Sequence, residues 1–156
     1  MAVVELRLTP LPSHVRTARL VVVAAARRAG LDPELVDDLR LAIGEACTRA
    51  VGLHAAHAPQ TDVLITVTDT SGALTVAVTD AGPAAGPAPD DLLAGLLDAT
   101  DPDPDVAPPD VSLALLAGLV DDLDVAGGPD GTVVTMRWPL PVRLTGAVPG
   151  TAAAPV

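Results

Sequence analysis

An α+β two-layer sandwich, with helices on one face of a mixed or antiparallel sheet, is the fold class this sequence predicts. Two observations point to it. Apolar residues repeat every second position in five short segments and every third or fourth position in three longer ones. Four of the five strand-type segments fall in two neighbouring pairs, with none of the regular strand–helix alternation of a parallel sheet. The chain's 156 residues and net charge of −11 suit one domain, assigned to residues 1–143 with a disordered tail over 144–156.

Each element has its own sequence warrant. Val4, Leu6 and Leu8 alternate with Glu5 and Arg7, as a half-buried strand requires. Ser13 is a candidate N-cap for a helix carrying Val15, Ala18, Val22 and Ala25, which Gly30 closes from the C′ position. Asp32-Pro33-Glu34 places a cap, a first-turn proline and an acid ahead of a second helix. Its stripe runs through Leu35, Leu39, Ala42, Ile43, Ala46 and Ala50 to about Val51. Val63, Ile65 and Val67, the turn Thr70-Ser71-Gly72, and Leu74, Val76 and Val78 form two antiparallel strands. Residues 80–110 hold seven of the 16 prolines and predict a lid-like loop, in which Leu92 to Leu97 forms a short helix. Asp110 caps a helix bearing Leu113, Leu116 and Val120. Val125, the Gly127–Gly131 turn, and Val134, Met136 and Trp138 complete the last two strands.

Composition excludes several functions. The core must be built from Leu, Val and Ala, because Trp138 is the one aromatic residue. Cys47 stands alone, which removes intramolecular disulfides and cysteine zinc sites and points to a reducing, cytoplasmic setting. The longest N-terminal apolar run, Leu20 to Ala26, is too short for a membrane span. Residues 90–130 hold 11 Asp and no basic residue, so the negative charge is concentrated there. That field repels nucleic acid and suits a solvated loop, or docking on a basic surface. Asp101, Asp103 and Asp105 imitate a calcium loop, but Val106 and Ser112 stand where its glycine and glutamate belong. His14, His54 and His57 lack metal spacing and read as surface residues, and Cys47 reads as a small core residue.

Three segments carry chemistry. Asp38-Leu39-Arg40-Leu41-Ala42-Ile43-Gly44-Glu45-Ala46-Cys47-Thr48-Arg49-Ala50-Val51 resembles the N-box of the anti-sigma-factor serine kinases. These are a branch of the Bergerat-type (GHKL) superfamily with a histidine-kinase-like ATPase fold. Val76-Ala77-Val78-Thr79-Asp80-Ala81-Gly82 resembles its Asp-x-Gly box, and Gly131-Thr132-Val133-Val134 its closing Gly-Thr-x-Val strand. The resemblance spans roughly residues 3–140.

The resemblance implies that Glu45 polarises the attacking hydroxyl, that Asp80 accepts from the adenine amine beside Gly82, and that Thr132 lies near the base. The same pattern expects asparagine as magnesium ligand where this chain has Arg49, which would have to meet phosphate directly. The phosphate-clasping Gly-x-Gly-Leu aligns with Asp110-Val111-Ser112-Leu113, so its glycines are gone. ATP or ADP is therefore the implied ligand, with magnesium in doubt.

The implied function is an anti-sigma-type regulator that binds a sigma factor or an anti-anti-sigma protein and has little or no kinase activity. An active serine-protein kinase and an acidic interaction module are the alternatives. The family's dimers imply self-association through Val4 to Ala25. The residues also have plainer readings. Glu45 and Arg49 stand four apart in the orientation of a surface ion pair, and Asp80 can simply start a turn.

Overall fold

The computed structural model describes residues 1–82 and 109–141. Five strands form one antiparallel sheet in the order β1-β2-β3-β5-β4. They are β1 (Ala2–Leu8), β2 (Val63–Thr70), β3 (Ala73–Asp80), β4 (Asp122–Gly128) and β5 (Gly131–Pro139). The helices are α1 (His14–Ala29), α2 (Val36–His57) and α3 (Pro109–Leu119).

Strand periodicity builds the core. Val63, Ile65 and Val67 on β2, Leu74, Val76 and Val78 on β3, and Val134, Met136 and Trp138 on β5 are all buried. Register puts Ile65 opposite Val78, Val78 opposite Val134, and Leu74 opposite Trp138, so these side chains share one face. Leu39, Ala42, Ile43, Ala46, Cys47 and Ala50 of α2 belong to the same buried cluster. The positions between are half-buried and rich in threonine, as on a sheet with helices on one side. β1 lies at the edge of the sheet, and Val3 and Val4 on it are exposed.

The helix ends depart from expectation in instructive ways. Ser13 occupies the N-cap position of α1, but its backbone is helical and its side chain makes no capping bond. Gly30 closes α1 as predicted, at φ 91, with the Leu31 N–H returning to the Ala26 carbonyl at 3.0 Å. Asp32 does cap, accepting from the Glu34 N–H at 2.9 Å, but it caps a 3-10 turn, Pro33–Leu35, that leads into α2. α2 then runs six residues beyond the predicted Val51, to His57. Gly52 and the two histidines after Val51 hid this extension, because Leu53 is the one large aliphatic residue among positions 52–57.

Of the predicted lid over 80–110, residues 83–108 lie outside the described residues, and both of its ends belong to other elements. Asp80 is the last residue of β3, paired with Thr132, and Pro109 and Asp110 already belong to α3, so Asp110 lies within the helix rather than capping it. The short helix at 92–97, the calcium-like acidic triplet and the tail over 144–156 lie outside the described residues. Among the described residues no helix is long and apolar enough to cross a membrane.

Cys47 is fully buried on α2, and burial pushes its thiol from an ordinary value near 9 up to about 12, with the Arg19 guanidinium opposing in part. Since the thiolate is the nucleophile, alkylation by iodoacetamide at pH 8 should track global unfolding, several orders of magnitude slower than in the urea-unfolded chain. The sign for stability follows. Above about pH 9 the unfolded thiol ionises while the folded one does not, so this residue's contribution falls as pH rises from there toward 12.

Candidate functional site: a buried ion pair at the end of β3

The site lies where the end of β3, the start of β5 and the second half of α2 converge. Asp80 is buried, and antiparallel pairing sets Thr132 directly opposite it, so both side chains face α2. Arg49 lies on the buried stripe of α2, three residues past Ala46 and four before Leu53. Its Nη1 donates to Asp80 Oδ2 at 2.7 Å, and each side chain is 1% exposed. Asp80 Oδ1 accepts the Gly82 N–H at 3.1 Å, which makes the local turn anticipated for this aspartate.

Three polar atoms at this junction are buried and have no partner among the described residues: Arg49 Nε, Arg49 Nη2 and Thr132 Oγ1. Each such group costs about 1–3 kcal/mol of desolvation. Natural folds leave few polar atoms in this condition, and those they leave go with strain, a catalytic role, or a buried water or ion.

The helix-surface pair Glu45–Arg49 does not form. Arg49 bonds the aspartate 31 residues further on, and no ion pair joins it to Glu45 among the described residues. The physical reason is rotation about α2: position 49 falls on the core side, where a surface pair is not available. Glu45, half-buried one turn earlier, has no hydrogen-bond partner among the described residues. The sequence-derived set is therefore divided. Arg49, Asp80, Gly82 and Thr132 come together, and Glu45 stays apart from their hydrogen bonds.

Gly82 is used by packing. A Cβ there would lie 3.0 Å from Leu53 Cβ and 3.4 Å from Asp80 Oδ1, so its lack of a side chain lets the turn rest against α2. Gly131 is under a stricter demand. Its φ is +142, and a Cβ would meet the Asp80 carbonyl oxygen at 1.9 Å.

His54 corrects the surface reading outright. It is fully buried on the added turns of α2. Its Nδ1 lies 2.7 Å from the Thr61 carbonyl oxygen, and its Nε2 lies 2.7 Å from the Ala81 amide nitrogen. A carbonyl can only accept and an amide N–H can only donate, so the ring is the neutral Nδ1–H tautomer. His54 thereby ties the Asp80–Gly82 turn to the loop after α2. The available signal was spacing: His54 falls seven residues after Cys47 and four after Ala50, on the same stripe. His57 is exposed, and half-buried His14 reaches the Thr9 carbonyl with Nδ1 at 3.0 Å. Replacing His54 by leucine should cost about 1–2 kcal/mol in urea unfolding, whereas glutamine, which can both donate and accept, should cost less.

Among the described residues no group of three His, Cys, Asp or Glu side chains could hold a metal ion. At the position where the resemblance expects magnesium's oxygen ligand, Arg49 offers only N–H donors and no lone pair, so it cannot take that role.

Comparison with known proteins bears on the family and the fold. The histidine kinase-like ATPase domain family matches residues 8–138. Among solved structures, the RsbU and RsbW domains of Rv1364c from Mycobacterium tuberculosis superpose with a TM-score of 0.64 at 18% identity, covering 94% of this chain. This chain spans 35% of that protein's chain. No match was found among the curated proteins. The family match reaches from the end of β1 to Trp138 and takes in the Arg49, Asp80 and Thr132 junction. The chain belongs to the histidine kinase-like ATPase domain family.

Proposed function

We propose that this chain is an anti-sigma-type regulator that works by holding a protein partner, a sigma factor or an anti-anti-sigma protein, and not by transferring phosphate. The observation that carries this reading is the Arg49–Asp80 ion pair at 2.7 Å. It puts a guanidinium where a magnesium ligand is expected and engages the carboxylate expected to read adenine. Magnesium-bridged phosphoryl transfer needs an oxygen donor at that point of α2, and arginine supplies none.

The missing clasp glycines at 110–113 agree with this reading. The exposed edge strand β1, with Val3 and Val4, agrees with self-association through Val4 to Ala25. Direct binding of nucleic acid is not part of the reading, since the chain carries a net charge of −11. The expected setting is the cytoplasm, where such partners work.

The test is incubation with Mg-ATP and a purified anti-anti-sigma protein. The expected result is a stable complex with no phosphate transfer, and stoichiometric phosphorylation would overturn the proposal. The second reading, an active kinase, draws on Glu45, an acid on α2 with no hydrogen-bond partner among the described residues. It predicts turnover that Glu45→Ala abolishes. Sedimentation at micromolar concentration tests self-association, for which a monomer is the contrary outcome.

A further inference from the structure

We propose that a cavity at the far end of the sheet from Asp80 docks a basic protein segment, seating an apolar anchor against Trp138 and an arginine on Asp38 and Asp121. The inference goes beyond the partner-holding reading and does not depend on the Arg49–Asp80 junction. Ala73, at the start of β3, lines this cavity, and Asp80 ends the same strand. From 73 to 80 is seven steps of about 3.3 Å, so roughly 23 Å of strand separates the two places.

The cavity has a volume of about 490 Å³, within the span of about 300–1,000 Å³ in which ligand sites fall. Leu35, Leu119, Trp138 and Pro139 make its apolar wall. Leu115, 50% exposed, stands one turn before Leu119 on α3 and continues that wall outward. Gly118 also lines the cavity, and a Cβ there would meet nothing within 4 Å, so α3 leaves that side open.

Charge chooses the occupant. Asp38, Asp121 and Asp122 line the cavity against one basic residue, Arg137. The Arg137 Nη1 already donates to Asp122 Oδ1 at 3.0 Å. Asp38 and Asp121 make no ion pair among the described residues, which leaves two carboxylates to be met. Since no group of three His, Cys, Asp or Glu side chains among the described residues could hold a metal ion, a bare metal cation does not suit them. An arginine does, because its fork meets carboxylates while its methylene stem lies along leucine and tryptophan surface. An acidic segment is repelled by the same charges, and a second copy in a two-fold contact would set these carboxylates against their own duplicates. The chain's net charge of −11 draws a basic segment in from a distance.

Trp138 is the chain's one aromatic residue, so its fluorescence reports on this cavity. The test titrates the full chain with an acetylated peptide of alternating leucine and arginine. A saturable shift in Trp138 emission is expected, weakening severalfold as salt rises from about 0.05 to 0.3 M. Peptides with glutamate in place of arginine, or glycine in place of leucine, should give no saturable shift. Asp38→Asn/Asp121→Asn should lower affinity about tenfold, whereas Asp62→Asn/Asp130→Asn, the same charge change on exposed residues outside the cavity, should lower it less than about twofold. Gly118→Met keeps every charge, adds a helix-favouring residue and fills the mouth of the cavity, and should lower affinity at least about fivefold. Circular dichroism checks that each variant folds. No saturable shift overturns the proposal, as do equal losses in the two aspartate pairs, unchanged affinity in folded Gly118→Met, or binding of the glycine–arginine peptide as tight as that of the leucine–arginine one. The other occupants have contrary signatures of their own. A Trp138 signal that varies with protein concentration in the absence of peptide gives the cavity to a second copy, and one that moves on truncation after Pro141 gives it to the chain's own last residues. Complex formation with an anti-anti-sigma protein is read separately, so the partner-holding function can stand or fall apart from this surface.

Discussion

Replacing Arg49 with methionine should lower the unfolding free energy by about 3–5 kcal/mol, because it leaves the Asp80 carboxylate buried and without its counter-charge. Asp80→Asn should cost a similar amount, since it strands the guanidinium instead. The double variant Arg49→Met/Asp80→Asn removes both charges while keeping an acceptor for the Gly82 N–H. It should be clearly more stable than the sum of the single variants requires, with a coupling of about 1–3 kcal/mol. Urea unfolding followed by circular dichroism reads all four proteins. Strictly additive effects would show that the 2.7 Å contact is energetically idle. The cycle also bears on function, since an ion pair that holds α2 to β3 fixes the shape of the turn at which a ligand or partner is read.

Gly131→Ala is expected to be among the most damaging single-methyl changes in the chain. The added Cβ would lie 1.9 Å from the Asp80 carbonyl oxygen and 2.9 Å from its carbonyl carbon, and both are backbone atoms that no rotamer change can move. Alanine is also strained at φ +142. Backbone strain and overpacking together place the cost at about 3 kcal/mol or more in urea unfolding. Relief requires β5 to move away from the end of β3, which would carry Thr132 from its place opposite Asp80. Gly52→Ala is the internal control. Nothing lies within 4 Å of its added Cβ on α2, so that change should stabilise the protein by about 0.5–1 kcal/mol. Equal effects at the two glycines would contradict the close approach at Gly131.

Much of the fold was legible because its signals are local. Alternation at 63–67, 74–78 and 134–138 marked strands whose buried faces then aligned through register, and Gly30 and Asp32 announced the break between the helices. Errors gathered where a local signal was silent or ambiguous. α2 passed Val51 because its last turns are held by His54, whose two hydrogen bonds reach residues 61 and 81. Ser13 looked like a cap but took a helical backbone, in which its hydroxyl makes no capping bond.

The sequence by itself determined the α+β class and the order of strands and helices, and the segments that hold Asp80, Gly82 and Thr132 resemble one family's motifs. It also placed Arg49 at a position that favours asparagine, without saying where the guanidinium would go. Four-residue spacing offered Glu45 as a neighbour, and only the rotation of α2 over the sheet decided for Asp80. Helix and strand periods are properties of consecutive residues, so they can be read along a chain. A contact between residues 49 and 80 depends on how one element is turned and seated on another, which packing of the whole core settles.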